Sequence, residues 1–306
     1  MHRVERIVPL IPPAASGPFG VSHLPRMWLK GILSAADMAW DEYFPDYRGF
    51  NKLLIDAIGL DPDAFFAYME MLPSYPDTER WVRDHATKLD AASIGDFNTF
   101  VATFARPEEA AAAIRERVGL QDSSLRISSE LINLDDWSTM HEYLVTHRYV
   151  DHEPTYPTVS SGVAGPLGIA HMPRYWMKAL LGAVGALPRI RSGHFGFDNI
   201  VADMIGMDLE AASAFIRDQL PSYVQFEVWL RSHIPAVDKA TRAGWNQTIR
   251  TYKKPVDAAA VDRAEAGVPE LSFCEVVLLN DMVDWKHLHD RVAARARSRD
   301  AVPTQQ

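Results

Sequence analysis

The chain has 306 residues, of which 47% are hydrophobic and 23% charged, a composition typical of a globular protein of about two domains. Its formal net charge of −9 argues against a general nucleic-acid binder, because contact with phosphates requires a basic surface. The single cysteine, Cys274, excludes an internal disulfide, and no run approaches the ~18 apolar residues of a membrane span. We therefore expect a cytoplasmic protein with neither a membrane nor a nucleic acid as partner.

Helical signals dominate the first 150 residues. Pro25 stands where a first helical residue belongs, and apolar residues then recur at spacings of three and four through Ala39. Asp61 is placed to cap a helix that begins at Pro62. The pattern predicts helices after the first over residues 50–58, 62–71, 77–88, 96–104, 107–118 and 135–147. The segment 125–134 fits either a strand or a buried helix.

The chain then repeats itself at an offset of 148 residues. Residues 17–30 read GPFGVSHLPRMWLK and residues 165–178 read GPLGIAHMPRYWMK, with eight of fourteen positions identical. So long a period makes each copy a whole domain rather than a solenoid unit. We therefore predict a mainly α protein with two homologous helical domains, related by an internal repeat of about 148 residues and packed with pseudo-two-fold symmetry.

The predicted organisation has four parts. These are a first helical repeat at 1–150, a linker at 151–164 rich in Pro, Ser, Thr and Gly, a second helical repeat at 165–297, and a disordered tail at 298–306. Tandem copies joined by so short a linker usually mimic a homodimer. We expect either a monomer with an intramolecular pseudo-dimer or a homodimer.

The repeated segment carries two cations in the first turns of its helix. Arg26 and Lys30 lie on one side, where they repel each other and oppose the helix dipole unless an anion binds there. His23 would add a third donor, and the second copy repeats the set as His171, Arg174 and Lys178. The alternative is structural ion pairing, with Asp37, Asp41 or Glu42 or with the other half as the partner.

The two copies diverge after this segment. Residues 37–48 are acidic and rich in tyrosine, whereas residues 185–194 are basic. This exchange fits complementary packing between the halves. It fits equally well one asymmetric site to which the two halves contribute different groups.

Several common sites are absent from the sequence. His141-Glu142 is followed by Val145 where a zinc-protease helix needs a second histidine. There is no Gly-x-Ser-x-Gly elbow, Walker loop or dinucleotide-binding glycine triplet. We therefore expect no metal site and no cofactor, and we interpret most of the eight tryptophans as packing residues.

Leu24-Pro25-Arg26-Met27, with Lys30 after it, resembles the opening of a bacterial family of unknown function, DUF5069. Further similar segments, including a Gly-Phe-Asn/Asp motif in each half, are at 49–51, 58–61, 97–98, 106–107, 119–120, 132–136, 172–174, 196–198, 205–208 and 245–246. The resemblance implies a tandem duplication of that domain and a bacterial origin, but no activity. The second copy has Met172 in place of leucine and lacks a clear acidic pair near Asp284, which marks it as the more degenerate half.

The patterns favour an isomerase, cyclase or lyase that transfers protons on a small carboxylated or phosphorylated metabolite, at or near the interface of the repeats. The candidate catalytic residues are His23, Lys30, Asp41 and Tyr43. The candidate substrate-binding residues are Arg26, Trp28, His171, Arg174, Lys178 and His194. Lys30, with its pKa lowered by Arg26, is also a candidate amine nucleophile. The alternative is a non-catalytic anion-sensing or protein-interaction module whose Arg/Lys pairs are structural.

Overall fold

The computed structural model describes residues 6–43, 45–148, 155–188 and 196–300. In these ranges the chain forms fourteen α-helices and no strand, which confirms the mainly α prediction. None of these helices is long and apolar enough to cross a membrane.

Seven helices precede residue 150. They are α1 (Leu24–Ala35), α2 (Gly49–Ile58), α3 (Pro62–Met69), α4 (Tyr75–His85), α5 (Ala91–Thr103), α6 (Glu108–Arg117) and α7 (Ser128–Thr146), with a 3-10 turn at Asp41–Tyr43. Seven more follow residue 170. They are α8 (Met172–Ala183), α9 (Phe197–Ile205), α10 (Leu209–Gln219), α11 (Tyr223–His233), α12 (Lys239–Thr251), α13 (Val256–Glu265) and α14 (Val276–Asp300).

Local capping explains where several helices begin. Asp61 accepts a hydrogen bond from the backbone N–H of Ala64, which confirms the predicted cap of α3. The predicted start of α4 at residue 77 or 78 was wrong, because the Ser74 hydroxyl caps the helix and Tyr75 begins it. The predicted start at 135 was also wrong. The backbone N–H of Ser128 bonds to Phe104 O, and α7 begins there.

The last helix of each sequence half packs against the other half. In α7, Trp137 lies edge-on to Tyr223 of α11, with ring centroids 4.9 Å apart. In α14, Trp285 lies edge-on to Tyr75 of α4, also at 4.9 Å. All four rings are almost fully buried. Burial of large apolar side chains is the main source of stability, so these contacts bind the halves together.

The two hydrophobic cores consequently draw on both halves. One joins α8–α12 to Trp137, Met140 and Leu144, and the other joins α1–α5 to Trp285 and Leu288. Each hydrophobic core therefore includes residues from both sides of the predicted domain boundary. The tail was predicted from 298, but α14 continues to Asp300, and residues 301–306 lie outside the described residues.

Candidate functional site

The loop before each repeated helix is held by groups from elsewhere in the same half. The backbone N–H of Phe19 donates to Glu79 Oε1 at 3.1 Å, and Asn98 bonds both Ser22 N and Gly20 O at 2.8 and 2.7 Å. Gly17 packs against Tyr75 and Glu79 so closely that a Cβ atom would overlap them. Much of the repeated segment therefore serves to fix the start of the helix.

The same contacts recur in the second half. Leu167 N donates to Glu227 Oε2 at 2.8 Å, and Asn246 bonds Ala170 N and Gly168 O at 2.8 and 2.9 Å. Burial raises the pKa of Glu227 to about 7. The two loops place His23 directly before α1 and His171 directly before α8.

Each of these histidines has a left-handed backbone conformation. His23 has φ 68° and His171 has φ 77°, values that non-glycine residues rarely adopt and that usually cost free energy. The strained backbone holds both imidazoles inside the protein, where His23 Nε2 lies 2.9 Å from Asn51 Oδ1 and His171 Nε2 lies 2.7 Å from Asp198 Oδ1. Since both acceptors are oxygens, each ring carries its proton on Nε2.

The predicted anion-binding arginines are saturated by internal partners. Arg26 donates to both carboxylate oxygens of Asp136, at 2.6 and 3.2 Å, and to the carbonyl oxygens of Pro9 and Ile11 at 2.5 and 2.9 Å. Both charged side chains are buried. The structural alternative from the sequence thus describes Arg26 correctly, but its partner is Asp136 and not Asp37, Asp41 or Glu42.

Arg174 repeats this arrangement in the second half. It donates to Asp284 Oδ2 at 2.6 Å and to the carbonyl oxygens of Pro157 and Val159 at 2.7 and 2.9 Å. Asp281 lies one turn before Asp284, and burial raises its pKa to about 7 despite the hydrogen bond from Ser160 and the charge of Arg174. The second half therefore holds two buried carboxylates here, although Val283 stands where the first half has Asp135.

The lysines differ between the two halves. Lys178 Nζ lies 2.6 Å from Asp198 Oδ2, so Asp198 bridges this ammonium group and His171. Burial opposes ionisation of Asp198, but the hydrogen bond and charge of His171 and the charge of Lys178 outweigh it and hold its pKa well below the usual range. His171, Asp198 and Lys178 therefore form a buried triad in which the carboxylate balances the positive charge of the lysine.

Lys30 has no such partner. Asn51 stands where the second half has Asp198, and an amide cannot balance an ammonium charge. Among the described residues no carboxylate lies within 4.0 Å of Lys30 Nζ. Burial, and then the charge of Arg26, lower the pKa of Lys30 to about 8, against the opposing effects of Asp46 and Asp136. Burial is thus the larger cause, and the charge of Arg26, which is the cause expected from the spacing, is the smaller one.

A second cation differs in the same way. Lys254 forms an ion pair with Asp262, whereas Arg106, at the matching position, bonds through Nε to the Ser128 hydroxyl at 3.0 Å and pairs with no described carboxylate. Ile114 occupies the position that matches Asp262. The first half therefore lacks the two carboxylates that pair with Lys178 and Lys254 in the second half.

His23 is also less satisfied than its counterpart. The Ser161 hydroxyl lies 3.1 Å from His171 Nδ1, but Pro13 stands at the matching position, and His23 Nδ1 finds no hydrogen-bond partner in the described part of the chain. Burial lowers the pKa of His23 to about 3, assisted by the charges of Arg26 and Lys30. The imidazole of His23 is therefore neutral throughout the physiological range.

The remaining predicted catalytic residues lie in different surroundings. Tyr43 is buried and bonds to Asp136 and Thr139, and burial raises its pKa well above the usual value. It lines a cavity of about 520 Å³ with Trp40 and other residues of the 3-10 turn and α7. Asp41 is exposed at the start of that turn. Tyr43 is thus joined to Arg26 through Asp136, and Asp41 is not part of this chain of hydrogen bonds.

The predicted binding residues of the second half converge on one cavity. His171, Arg174 and Lys178 line a space of about 390 Å³ together with Asp198 and Lys254. Trp28, which was also predicted to bind substrate, is instead a core residue with no exposed surface, and its indole N–H donates to Pro73 O. His194 lies outside the described residues.

Sequence reasoning missed the residues that distinguish the halves, namely Asn51, Asp198, Arg106, Lys254 and Asp262. The Gly-Phe-Asn and Gly-Phe-Asp motifs contained the signal, since Asn51 and Asp198 are 147 residues apart rather than 148. The second half is therefore one residue shorter between His171 and Asp198 than the first half is between His23 and Asn51.

No family model, curated protein or solved structure matched this chain.

Proposed function

We propose that this protein is an isomerase, cyclase or lyase that transfers protons on a small anionic metabolite, with its site in the first half around Lys30. The observation that carries the proposal is that no carboxylate of the described residues forms an ion pair with Lys30, in contrast to the Lys178–Asp198 pair. A partly buried ammonium group without a partner is costly, and a bound carboxylate or phosphate removes that cost.

Arg106 supplies a second positive group for the same ligand. His23 and Phe50 are in edge-on contact at 5.5 Å, and Phe50 contacts Phe104, two residues before Arg106, at 6.4 Å. In the second half the corresponding rings lead from His171 through Phe197 to Tyr252 and Lys254, around one cavity. The contacts that recur between the halves support a common location for Lys30 and Arg106.

Lys30 is also the best candidate for the proton-transfer group. A pKa of about 8 allows its amine to exchange a proton near neutral pH, which an ordinary lysine cannot do. The neutral His23 would bond to a substrate oxygen or nitrogen, and Arg26 and Asp136 would fix the geometry. Because α7 carries both Asp136 and the Trp137 that packs on Tyr223, this site lies near the contact between the halves.

The test compares matched variants of the two halves. We expect inorganic phosphate or a small dicarboxylate to bind the wild-type protein, and Lys30→Met and Arg106→Gln to weaken binding by about tenfold or more. Lys178→Met and Lys254→Met are the controls, because those lysines are already paired. Calorimetric titration measures the affinities, and equal losses in both sets of variants would contradict the proposed location.

Proton transfer is tested separately with a set of small keto acids and sugar phosphates in D₂O. NMR should show deuterium incorporation next to a carbonyl group in at least one compound, and Lys30→Met should abolish it. Anion binding with no exchange in any compound would instead support the second candidate, a non-catalytic anion-sensing or interaction module. The saturation of Arg26 and Arg174 by internal partners favours that candidate.

The finer description of the fold belongs to the same proposal. We infer two homologous domains of the DUF5069 type, packed with pseudo-two-fold symmetry in a cytoplasmic protein. Reciprocal contacts support this symmetry, because the pair His141–Leu220 has its counterpart in the pair His289–Leu72. An isomerase or lyase of this type would carry its active site in only one of the two copies.

A further inference from the structure

We propose that Lys30 is a nucleophilic amine that forms an imine with a carbonyl compound bearing an anionic group. This inference rests on the proposed site but adds a covalent step to it. The amine nitrogen attacks the carbonyl carbon to give a carbinolamine, which loses water to give the imine, so that atoms balance without any oxidant or cofactor. Arg106 would bind the anionic group of the compound.

Most other lysines of the chain form ion pairs with described carboxylates, whereas Lys30 does not. All eight lysines are described, and five of them pair with a carboxylate: Lys52, Lys178, Lys253, Lys254 and Lys286. The three others are Lys30, Lys88 and Lys239. Lys88 and Lys239 are exposed to water, and Lys30 alone of the three is partly buried. A desolvated, unpaired amine loses its proton most easily and is therefore the strongest nucleophile of the set at neutral pH.

The groups that face Lys30 suit this chemistry. Arg26 lies one turn before Lys30 on α1, and Asp136 holds its guanidinium group in place, so the charge of Arg26 acts on Lys30. The charge of the exposed Asp46 also acts on Lys30, and the backbone oxygen of Asp46 accepts a hydrogen bond from the Asn51 amide.

The second half provides a natural negative control. Lys178 lies at the corresponding position on α8, but it forms an ion pair with Asp198 at 2.6 Å. Exchange of the acid and the amide between the halves should exchange the reactivity of the two lysines. Asn51→Asp should give Lys30 an ion-pair partner and lower the reactivity of its amine. Asp198→Asn should remove the ion-pair partner of Lys178 and raise the reactivity of that amine.

The experiment treats the full-length protein with glyoxylate and cyanoborohydride, which reduces the imine to a stable secondary amine. Peptide mass spectrometry then locates the label. We expect Lys30 to be labelled at least tenfold faster than any other lysine, with the rate rising as pH passes through about 8. Asn51→Asp should reduce the rate at Lys30 by tenfold or more, and Asp198→Asn should raise the rate at Lys178. Acetaldehyde, which has no carboxylate, should label Lys30 more slowly, and Arg106→Gln should remove that difference.

Each outcome bears on one of the two proposals. Uniform labelling of all lysines, or none at Lys30, would overturn the imine. If phosphate still binds in a Lys30-dependent manner, the proposed function stands without it. If the folded wild-type protein neither binds phosphate nor is labelled at Lys30, the result would contradict the proposed function and the imine alike.

Discussion

His289 Nε2 lies 2.9 Å from the carbonyl oxygen of Leu72, and this hydrogen bond joins the two halves of the chain. Leu72 has a left-handed backbone with φ 52°, which turns its carbonyl group toward α14. The matching bond from His141 to Leu220 is 2.8 Å long, and Leu220 has φ 45°. Sequence identity at both positions is therefore explained by a reciprocal contact between the halves.

Removal of this contact should weaken the association of the halves. We expect His289→Ala to lower the free energy of unfolding by about 1–3 kcal/mol, since the Leu72 carbonyl loses its partner and the Trp28 ring loses a stacking neighbour. Urea denaturation measures the change. His287→Ala is the control, because His287 is more exposed and bonds to Glu265 on α13 within its own half. An equal effect of both substitutions would contradict the assignment.

The buried arginine pair should be structural rather than functional. Arg26→Met leaves Asp136 without its positively charged partner in the interior and should cost about 3–5 kcal/mol of stability. The double variant Arg26→Met/Asp136→Leu removes both charges and should regain most of that loss. Denaturation of the single and double variants measures the coupling, and additive losses would show that the pair is not the source of the effect.

The repeated glycine of the loop predicts a steric effect with a clear control. Gly17→Ala should destabilise the protein by about 1–3 kcal/mol, because the new methyl group overlaps Tyr75 and Glu79. Gly95 lies within α5 with no atom near a prospective Cβ, so Gly95→Ala should stabilise the helix by up to about 1 kcal/mol. Thermal melts of the two variants should therefore shift in opposite directions.

Acid should destabilise the protein partly through His23. Its pKa is about 3 in the folded protein and near 6.5 in the unfolded chain, so the unfolded state binds the additional proton between these values. The contribution of His23 to stability is then complete above pH ~6.5 and decreases as the pH falls toward 3. His23→Gln should flatten the pH profile of unfolding in this window. An unchanged slope would mean that His23 is not held in its neutral form.

Asp281 should produce the opposite pH dependence. Its pKa is raised to about 7, so the folded state retains a proton that the unfolded chain releases near pH 4, and stability falls as the pH rises from 4 to 7. Asn133 occupies the matching position in the first half, which indicates that an amide fits there. Asp281→Asn should therefore gain stability relative to the wild type at pH 8 and much less at pH 4, as measured by thermal melts.

Local signals allowed prediction of the helices but not of the site. Pro25 and the Asp61 cap act within a few residues, so the sequence pattern located α1 and α3. By contrast, the partner of Arg26 lies 110 residues away on α7 and is selected by packing. The difference between Lys30 and Lys178 was hidden because the acid and the amide that control it are offset by 147 residues. A comparison at 148 aligns Asp198 with Phe50 instead of Asn51.

The two lysines should respond oppositely when their charge is removed. Lys30→Met deletes a partly buried ammonium group to which the described residues supply no carboxylate partner, so the protein should keep its stability or gain up to about 1 kcal/mol, as is common when a functional group is replaced. Lys178→Met deletes the ammonium partner of Asp198 and should destabilise the protein, although His171 still contacts the carboxylate. Urea denaturation at pH 7 distinguishes the two, and a comparable loss in both variants would mean that Lys30 is a structural residue. Because Lys30→Met is also the variant that should abolish anion binding, a stable but inactive protein would separate the function of Lys30 from its contribution to the fold.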